Sequence, residues 1–529
     1  MVKRASKPKR GAPKPMGSGM PELPRELIDQ LLAALTKGFG PMLPGEDDPA
    51  DELEAAFQAF LDLDEPKERD KAADEVISHL SDRLDQFRVD ANGGDPRARE
   101  SLKRFHARLD LAVAEGEIHP ANLIMLGKIM WTAQLPVSDD LREFVGEAMG
   151  GDAALAPENT EHVAKLALRA VERIDDPFEL YDAVSSNMAA FPTKFRIALA
   201  TSLVVARKSV VRMAAVGFVL HPEEELARAV IKTFPFSAPP SAAEAAVVDR
   251  LTRVAAWLAP GRLELAEAAF GAMRSGPRAT PVAVKTDVQF LASSHDGSGS
   301  NSLMACVKSG KRFAILSVLI KSQGVTEVLK YGDLGRGDAD RLMGLMGTSS
   351  PVLNISGDGA AELLALALGR NISAGSPPPF RLVQFCEAVG WAELRPDPSN
   401  ATQICERLLA DSPLATGAGR NSTGICDSPY VESWFEAGEA VGELLRGSKS
   451  RKLAADKVLR EYLPSRRPFW ARLCATSALV FRRRAGAPNA AWAEFALVGR
   501  EIASETPIER IPLMVQIAKR TADVFFDRP

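Results

Sequence analysis

The stretch ARKSVVRMAAVGFVLHPEEELARAVIKTF, residues 206–234, decides the fold of this chain. It begins with basic residues, continues as small and apolar residues, turns at His221-Pro222 and resumes with three glutamates before a second apolar segment. A proline restricts the residue before it, and the helix dipole favours acids in a first helical turn. The stretch therefore predicts two helices, over residues 209–220 and 223–234, joined by a tight turn.

The residues on both sides continue this pattern. Helices are predicted at 161–174, 177–191, 193–207, 242–258 and 262–274, with short connections that begin with Asp-Asp-Pro, Phe-Pro or Ala-Pro-Gly. Helices joined by such short turns pack antiparallel with their neighbours. Repeated pairs of this kind form an α-solenoid, in which each pair buries its apolar face on the next.

The quoted stretch resembles a HEAT-type repeat in its basic start, its helix of small apolar residues, its turn and its second helix. The resemblance covers roughly a quarter of the chain, without a strict period in the letters. It implies helical pairs stacked side by side. The expected fold is mainly α and α-solenoid-like, with HEAT-like helical pairs, a small antiparallel β insertion and a helical C-terminal part.

Two regions precede the repeat-like segment, which spans residues 151–279. Residues 1–20 contain several cations, prolines and glycines but no acid, and are predicted to be a disordered basic tail. Residues 21–150 are predicted to be an N-terminal helical region, because leucines recur every four residues from Leu23 to Leu35 and similar apolar stripes follow. Gly150-Gly151 marks the end of this region.

The pattern changes at residues 280–334. Short apolar and β-branched runs alternate there with Asp-Gly and Ser-Gly, which favour hairpins because these residues tolerate a positive φ. A β-meander insertion of about three strands is predicted. Residues 335–411 are predicted to be helical apart from a turn-rich segment at 344–358, and residues 412–427 to be a flexible connector. Residues 428–529 are predicted to be a C-terminal helical region with a basic stretch, with separate helices at 428–445, 451–462 and 468–484.

The composition disfavours several classes of protein. Among 529 residues, 65 Lys and Arg oppose 69 Asp and Glu, and aromatic residues make up only 6%, which argues against a large all-β protein. No secretory signal and no span of about 20 apolar residues is present, so we expect a cytoplasmic protein without a membrane partner. The five cysteines form no CxxC pair and the histidines no HExxH motif. We therefore assign no metal, no cofactor and no catalytic set.

The N-terminal tail is a candidate nucleic-acid contact. Residues 8–14, PKRGAPK, resemble a degenerate AT-hook, a short minor-groove motif with an Arg-Gly-Arg-Pro core. Arg10, Gly11 and Pro13 match this core, but Ala12 replaces its second arginine, which disfavours specific A·T reading and leaves non-specific phosphate attraction available. The alternative is a solubilising tail. The candidate contacts are Lys3, Arg4, Lys7, Lys9, Arg10 and Lys14.

A second basic region spans residues 446–484, where Asp456 and Glu461 are the only acids. A basic stripe on one helical face can hold nucleic acid or an acidic protein. The alternative is a set of solvated helix faces paired with acids elsewhere. Phe469 and Trp470 lie on an apolar stripe and are expected in the core. The candidate contacts are Arg451, Lys452, Arg466, Arg467, Arg482, Arg483 and Arg484.

His295 and Asp296, beside a glycine-rich turn, form a weak candidate site for catalysis. An aspartate can orient a histidine for acid–base chemistry. However, adjacent residues of a strand point to opposite faces, and no nucleophile or third member is evident. The conformational needs of an Asp-Gly turn explain the same residues.

Three functions are compatible with these patterns. The preferred one is a non-enzymatic interaction or scaffold protein that binds a protein partner through a helical-repeat surface, since helical pairs occur without a catalytic set. The second is a nucleic-acid-associated protein that uses the tail and the basic region 446–484. The third is an enzyme of unknown class with a site near His295 and Asp296.

Overall fold

The computed structural model describes residues 49–63, 71–92, 95–148, 173–234, 242–270, 287–349, 351–410, 423–486 and 491–527. These residues are mostly helical and include one five-stranded antiparallel sheet, so the prediction of a mainly α chain with a small β part is confirmed. Several predicted features lie outside the described residues: the tail 1–20, the leucine-rich segment after it, the boundary at residue 150, most of the helix 161–174 and most of the connector 412–427.

The first helices share a core of their own. They are α1 (Pro49–Leu61), α2 (Lys71–Asn92), α3 (Pro96–Ala114), α4 (Pro120–Thr132) and α5 (Asp139–Ala148). Their apolar residues recur at the helical period, and side chains such as Leu84, Phe105 and Leu126 are buried where these stripes meet. Ala189 and Ala190, from the segment that follows, complete this core.

The next helices include the pair predicted from residues 206–234. They are α6 (Pro177–Asn187), α7 (Thr193–Val204), α8 (Ser209–Ala215), α9 (Glu224–Thr233), α10 (Ala242–Ala255) and α11 (Pro260–Phe270). A 3₁₀ turn, Val216–Leu220, extends α8, and Arg262 Nη1 donates to the carbonyl of His221 at 2.7 Å in the turn before α9. The helices contact one another in two alternating series: α6, α8 and α10 in one, and α7, α9 and α11 in the other.

The sheet has more strands than the sequence predicts. Its strands are β1 (Asp287–Ser293), β2 (Asn301–Ser309), β3 (Arg312–Lys321), β4 (Gly324–Leu334) and β5 (Val352–Ile355), in the order β4-β3-β2-β1-β5, all antiparallel. The prediction of about three strands missed β4 and β5. β5 is only four residues long and pairs with β1, so neither its length nor its neighbours in sequence identify it.

The turn-rich segment predicted at residues 344–358 is wrong. Helix α12 (Arg336–Ser349) runs through its first part, β5 occupies its centre, and helix α13 (Gly357–Ala374) begins at its end. The Ser356 hydroxyl accepts from Gly359 N at 3.1 Å and thereby caps α13. Gly344 lies inside α12, and Ser349, Ser356 and Gly357 belong to helix ends.

The two faces of the sheet pack against different partners. Leu303, Ala305 and Val307 of β2 belong to the main core, which the helices from α6 onward share. Met304 and Ile315 point the other way, into a small cluster that α12 covers. Because side chains alternate along a strand, the odd-numbered residues of β2 are the ones that face the helical body.

The C-terminal helices differ from the prediction at two places. They are α14 (Arg381–Ala388), α15 (Ala401–Leu409), α16 (Thr423–Cys426), α17 (Glu439–Leu445), α18 (Arg451–Lys457), α19 (Leu463–Arg482), α20 (Ala491–Ala503) and α21 (Pro512–Asp527). Residues 428–445 are not one helix, since only the 3₁₀ turn Pro429–Val431 and α17 form there. Residues 451–482 are continuous, because the π turn Val458–Tyr462 joins α18 to α19 and α19 accommodates Pro468 in its interior.

None of the helices within the described ranges is long and apolar enough to cross a membrane.

Candidate functional site

The loop between β1 and β2, residues 294–300, contains the predicted pair His295 and Asp296. One oxygen of Asp296, Oδ1, accepts from Ser298 N at 2.9 Å, from Ser298 Oγ at 2.7 Å and from Ser300 N at 2.9 Å. The carboxylate therefore closes the turn, as is usual for aspartate in this position. It is not bonded to His295, so the structure does not bring the two side chains together as an acid–base pair.

The His295 ring lies in the core, where it is 2% exposed. Its Nδ1 is 3.2 Å from Ser477 Oγ on α19, and its carbonyl accepts from Trp434 Nε1 at 2.9 Å. Burial, and then the positive charge of Arg370, lower the pKa of His295 to about 3. The ring is therefore neutral near pH 7.

The hydroxyl of Ser477 determines which ring nitrogen of His295 carries the proton. This hydroxyl has His295 Nδ1 as its only side-chain or backbone partner among the described residues. If the hydroxyl donates to Nδ1, its own proton is bonded and the ring proton lies on Nε2. Nε2 is buried and has no partner in the described part of the chain. In that tautomer Nε2–H is an unused donor.

Arg370, on α13, is half-buried and has two buried guanidinium nitrogens without a partner. Its Nε and Nη2 are inaccessible to solvent and bond to no described residue. Burial, and then the charge of Arg472 on α19, lower the pKa of Arg370 to about 10. Arginines in protein interiors are ordinarily paired with carboxylates. Neither Arg370 nor Arg472 forms an ion pair with a described residue.

Asn301, the first residue of β2, is the third such group. It is 2% exposed, and neither Oδ1 nor Nδ2 has a partner within the described ranges. It belongs to the row of odd-numbered residues that face the helices. A buried polar group left unsatisfied costs about 1–3 kcal/mol. We refer to His295, Asn301, Arg370, Arg472 and Ser477 as the buried polar cluster.

Most arginines of the basic region 446–484 are bonded within the chain. Ion pairs join Arg451 to Asp523 and Asp527, Arg466 to Glu436, and Arg483 to Glu362. Main-chain carbonyls accept from two others: those of Ile502, Ser504 and Thr506 from Arg467, and that of Leu408 from Arg482. Lys452 and Arg484 are exposed. The basic region therefore does not form one free cationic stripe.

Aromatic residues of this region pack inside the molecule. Trp470 is fully buried, and its Nε1 donates to Glu436 Oε1 at 2.8 Å. The Arg466 guanidinium lies 4.2 Å from the centre of the Phe469 ring. These contacts agree with the expectation that the two aromatic side chains belong to the core rather than to a base-stacking surface.

A groove opens at the junction of α17, α18 and the π turn. It has a volume of about 350 Å³ and is lined by Gly447, Ser448, Lys449, Leu453, Asp456, Lys457, Arg460 and Glu461. Leu453 is 55% exposed, which makes it one of the few large apolar side chains at the surface of the described residues. Lys449 and Arg460 form no ion pair with a described residue, while Lys457 Nζ is 3.5 Å from the carbonyl of Leu444. We refer to these residues as the Leu453 groove.

The N-terminal cations from Lys3 to Lys14 lie outside the described residues. Within the described ranges, no group of three or more His, Cys, Asp or Glu side chains is placed to hold a metal ion.

Sequence reasoning identified His295 but missed its surroundings. Arg370 is the only cation of α13, and Asn301 reads as a turn residue before a strand. Arg370 carries no local signal, because only the packing of α13 on the sheet brings it near His295, and the burial of Asn301 depends on the helices that cover the sheet. Lys449, Leu453 and Arg460 fall in the predicted basic region, but the sequence does not distinguish them from the bonded arginines around them.

The comparisons with known proteins find matches in two parts of the chain. Residues 403–526 match a family model described as the Y4lR C-terminal helical domain, and residues 192–276 match one described as the Y4lR second domain. The Leu453 groove lies within the first match, whereas Asn301 and Arg370 lie between the two. No curated protein and no solved structure matches the chain.

Proposed function

We propose that the chain is a non-enzymatic, cytoplasmic interaction protein and that the Leu453 groove binds a segment of a partner protein. The observation that carries the proposal is an exposed leucine in a groove whose cations have no ion pair in the described part of the chain. The segment that fits this chemistry presents one apolar side chain flanked by acidic residues.

The energetics of the groove favour such a segment. Full burial of a leucine side chain contributes about 1.5–3 kcal/mol, and Leu453 is available for burial. The ammonium of Lys449 and the guanidinium of Arg460 then select acidic residues beside the apolar anchor, mainly by increasing the association rate and excluding cationic segments. Asp456 and Glu461, on the same groove, limit the number of acids that it accepts.

A HEAT-like solenoid from α6 to α11 is part of the same proposal. The alternating contacts of α6, α8 and α10 and of α7, α9 and α11 support it, because the two helices of each repeat form two separate layers in a solenoid. Such a scaffold would hold the C-terminal helices while leaving their outer faces accessible. An experimental structure in which these helices do not stack in two layers would contradict this part.

The test compares the full chain with its Leu453→Asp variant in affinity purification. We expect the variant to recover at least about tenfold less of each partner protein than the wild type. A tenfold loss of affinity corresponds to about 1.4 kcal/mol of binding free energy. Leu111→Asp is the matched control, since Leu111 is 49% exposed on α3 and does not line the groove. A synthetic peptide from the captured protein, containing an apolar residue flanked by acids, should bind the wild type directly. Retention of all partners by Leu453→Asp would refute the proposal.

Nucleic-acid binding is the second candidate, and the accessible cations favour it. Lys449, Lys452 and Arg460 are exposed and have no ion pair in the described part of the chain. In a salt titration with double-stranded DNA, their joint replacement by glutamate should lower the affinity and reduce the salt slope by about three. Removal of residues 1–20 should lower both further. Absence of DNA and RNA binding at low salt would eliminate this candidate.

A further inference from the structure

We propose that the buried polar cluster is a binding site for a small oxyanion of the phosphate class. The geometry behind this proposal consists of five polar atoms that are buried and unpartnered within the described residues: His295 Nε2, Asn301 Oδ1 and Nδ2, and Arg370 Nε and Nη2. The site is separate from the Leu453 groove and does not depend on the interaction function.

The strand register and the position of α13 place Asn301 and Arg370 at the same end of the sheet. The strand register aligns Asn301 with Ile320, and Ile320 with Val325. On α13, Asn371 holds Val325: Val325 N donates to Asn371 Oδ1 at 2.9 Å, and Asn371 Nδ2 donates to the Val325 carbonyl at 3.1 Å. Arg370, the neighbour of Asn371, therefore lies at the same end of the sheet as Asn301.

Helix α19 closes the cluster on the remaining side. Ser477 contacts the His295 ring, as described above. The loop that carries His295 lies directly on this helix, since a Cβ at Gly299 would come within 3.0 Å of the Phe469 ring. Arg472 is on the same helix, between Phe469 and Ser477, and its charge acts on Arg370. His295, Ser477, Arg370 and Arg472 are thus neighbours where the β1–β2 loop, α13 and α19 meet, and Asn301 lies at the same end of the sheet.

The unpartnered atoms are mostly donors, which determines the class of ligand. The Nε and Nη2 atoms of Arg370 are the edge of a guanidinium that binds two oxygens of one carboxylate or phosphate. The Nε2–H of His295 and the Nδ2 of Asn301 add donors that can reach further oxygens. A tetrahedral anion can accept from all of them at once.

The charge of the cluster distinguishes an anion from water. Arg370 and Arg472 supply two positive charges, and no described carboxylate is paired with either. Buried water can satisfy donors, but it cannot neutralise charge. The guanidinium of Arg370, with the charge of the half-buried Arg472 acting on it, favours a dianion such as phosphate or sulfate over a carboxylate, which carries a single charge.

The experiment measures thermal unfolding of the full chain after dialysis into an anion-poor buffer. Inorganic phosphate and sulfate at millimolar concentration should raise the Tm by at least about 3 °C, and acetate should not. A phosphomonoester, glycerol phosphate, is the fourth addition. Stabilisation by it as well as by phosphate identifies a phosphoryl headgroup as the ligand, whereas stabilisation by the inorganic ions alone identifies a free anion.

Variants separate binding from a general effect on folding. Arg370→Gln should abolish the phosphate-induced rise in Tm. Asn301→Asp should raise the Tm in the anion-poor buffer, because it supplies a negative charge beside Arg370, and should also abolish the response to phosphate. Arg336→Gln is the control for loss of one positive charge, since the Arg336 side chain is 81% exposed on α12, which covers the opposite face of the sheet.

Asn301→Asp should raise the Tm without added anion and yet remove the response to phosphate. These two effects together test the proposal even if Arg370→Gln does not fold. Two results would overturn the proposal. One is a wild-type Tm that does not respond to phosphate or sulfate, or that responds equally to acetate. The other is a phosphate response of the same size in wild type, Arg370→Gln and Asn301→Asp.

Discussion

Arg370 and Arg466 show how differently the same side chain is treated in two parts of this molecule. Arg466 lies in the most basic stretch of the sequence, yet its Nε donates to Glu436 at 2.7 Å and its guanidinium lies over the Phe469 ring. Arg370 is the only cation of α13, yet it has no acid partner among the described residues. A concentration of arginines in the sequence therefore does not indicate where uncompensated charge lies, because tertiary contacts decide which charges are paired.

The largest loss of stability should come from removing Glu436, the acid partner of Arg466. Glu436 is 8% exposed and accepts from both Arg466 Nε and Trp470 Nε1. Glu436→Ala should lower the free energy of unfolding by about 3 kcal/mol, because it leaves a half-buried cation and a buried indole N–H without partners. Urea unfolding measures this loss. Glu432→Ala, at an exposed position nearby, is the control and should have little effect.

A fall in pH should lower the free energy of unfolding through His295, which lies near the unpaired Arg370. Burial and Arg370 lower the pKa of His295 to about 3, from 6.5 for an unperturbed histidine. The unfolded chain therefore takes up the proton first, so the contribution of neutral His295 to stability is present above pH 6.5 and is lost as the pH falls toward 3. The loss approaches about 1.4 kcal/mol per pH unit below 6.5.

His221 provides the comparison for this pH dependence. Its pKa is also lowered to about 3, by burial and by Arg196 and Arg262. His295→Gln should therefore remove about half of the combined contribution of His295 and His221 to the pH dependence of the unfolding free energy, and His221→Gln the other half. Urea unfolding between about pH 6.5 and 5 measures the slope above the ordinary range of carboxylates. An unchanged slope in His295→Gln would show that the pKa of His295 is the same in the folded and the unfolded chain.

Replacement of Arg370 and of Arg466 by methionine should change the free energy of unfolding in opposite directions. In an anion-poor buffer, Arg370→Met should raise the free energy of unfolding by about 1 kcal/mol, because it removes a buried charge that has no counter-ion and keeps most of the volume. Arg466→Met should lower it, since Glu436 would lose its ion pair. Urea unfolding of both variants measures the two signs. Destabilisation by Arg370→Met as large as that by Arg466→Met would mean that Arg370 is compensated within the folded chain.

Much of the fold could be predicted from the sequence because its helices are local. The apolar spacing and the His221-Pro222 turn located α8 and α9 within a few residues, and Leu84 and Phe105 are buried where the periodicity placed them. The strand β5 could not be found in this way, since it is stabilised by pairing with β1 across about 60 residues of chain. The continuity of α18 and α19 depends on a π turn, for which the sequence gives no signal.

The candidate site was less predictable than the fold. His295 was noticed because it stands beside Asp296, but Asp296 closes a turn, and the groups that act on the His295 ring are Ser477 of α19 and Arg370 of α13. Arg370 and Ser477 are separated from it by 75 and 182 positions. Contacts over such distances have no local pattern. Conversely, the basic region was evident in the sequence, but the ion pairs of Arg451, Arg466 and Arg483 were not.

The smallest effect should come from an exposed ion pair, which separates pairing from burial as the cause of the difference between Arg370 and Arg466. Arg451 is half exposed and pairs with Asp523 and Asp527 on α21. Because solvent and salt screen such pairs, Arg451→Ala should leave the urea midpoint unchanged within error, as should the control Lys452→Ala beside it. If Arg451→Ala were as destabilising as Glu436→Ala, the pairing of a charge would matter more than its burial. In that case the missing partner of Arg370, rather than its burial, would be the main reason that Arg370 lowers the free energy of unfolding. Only an acidic side chain or a bound anion next to Arg370 could then restore that free energy.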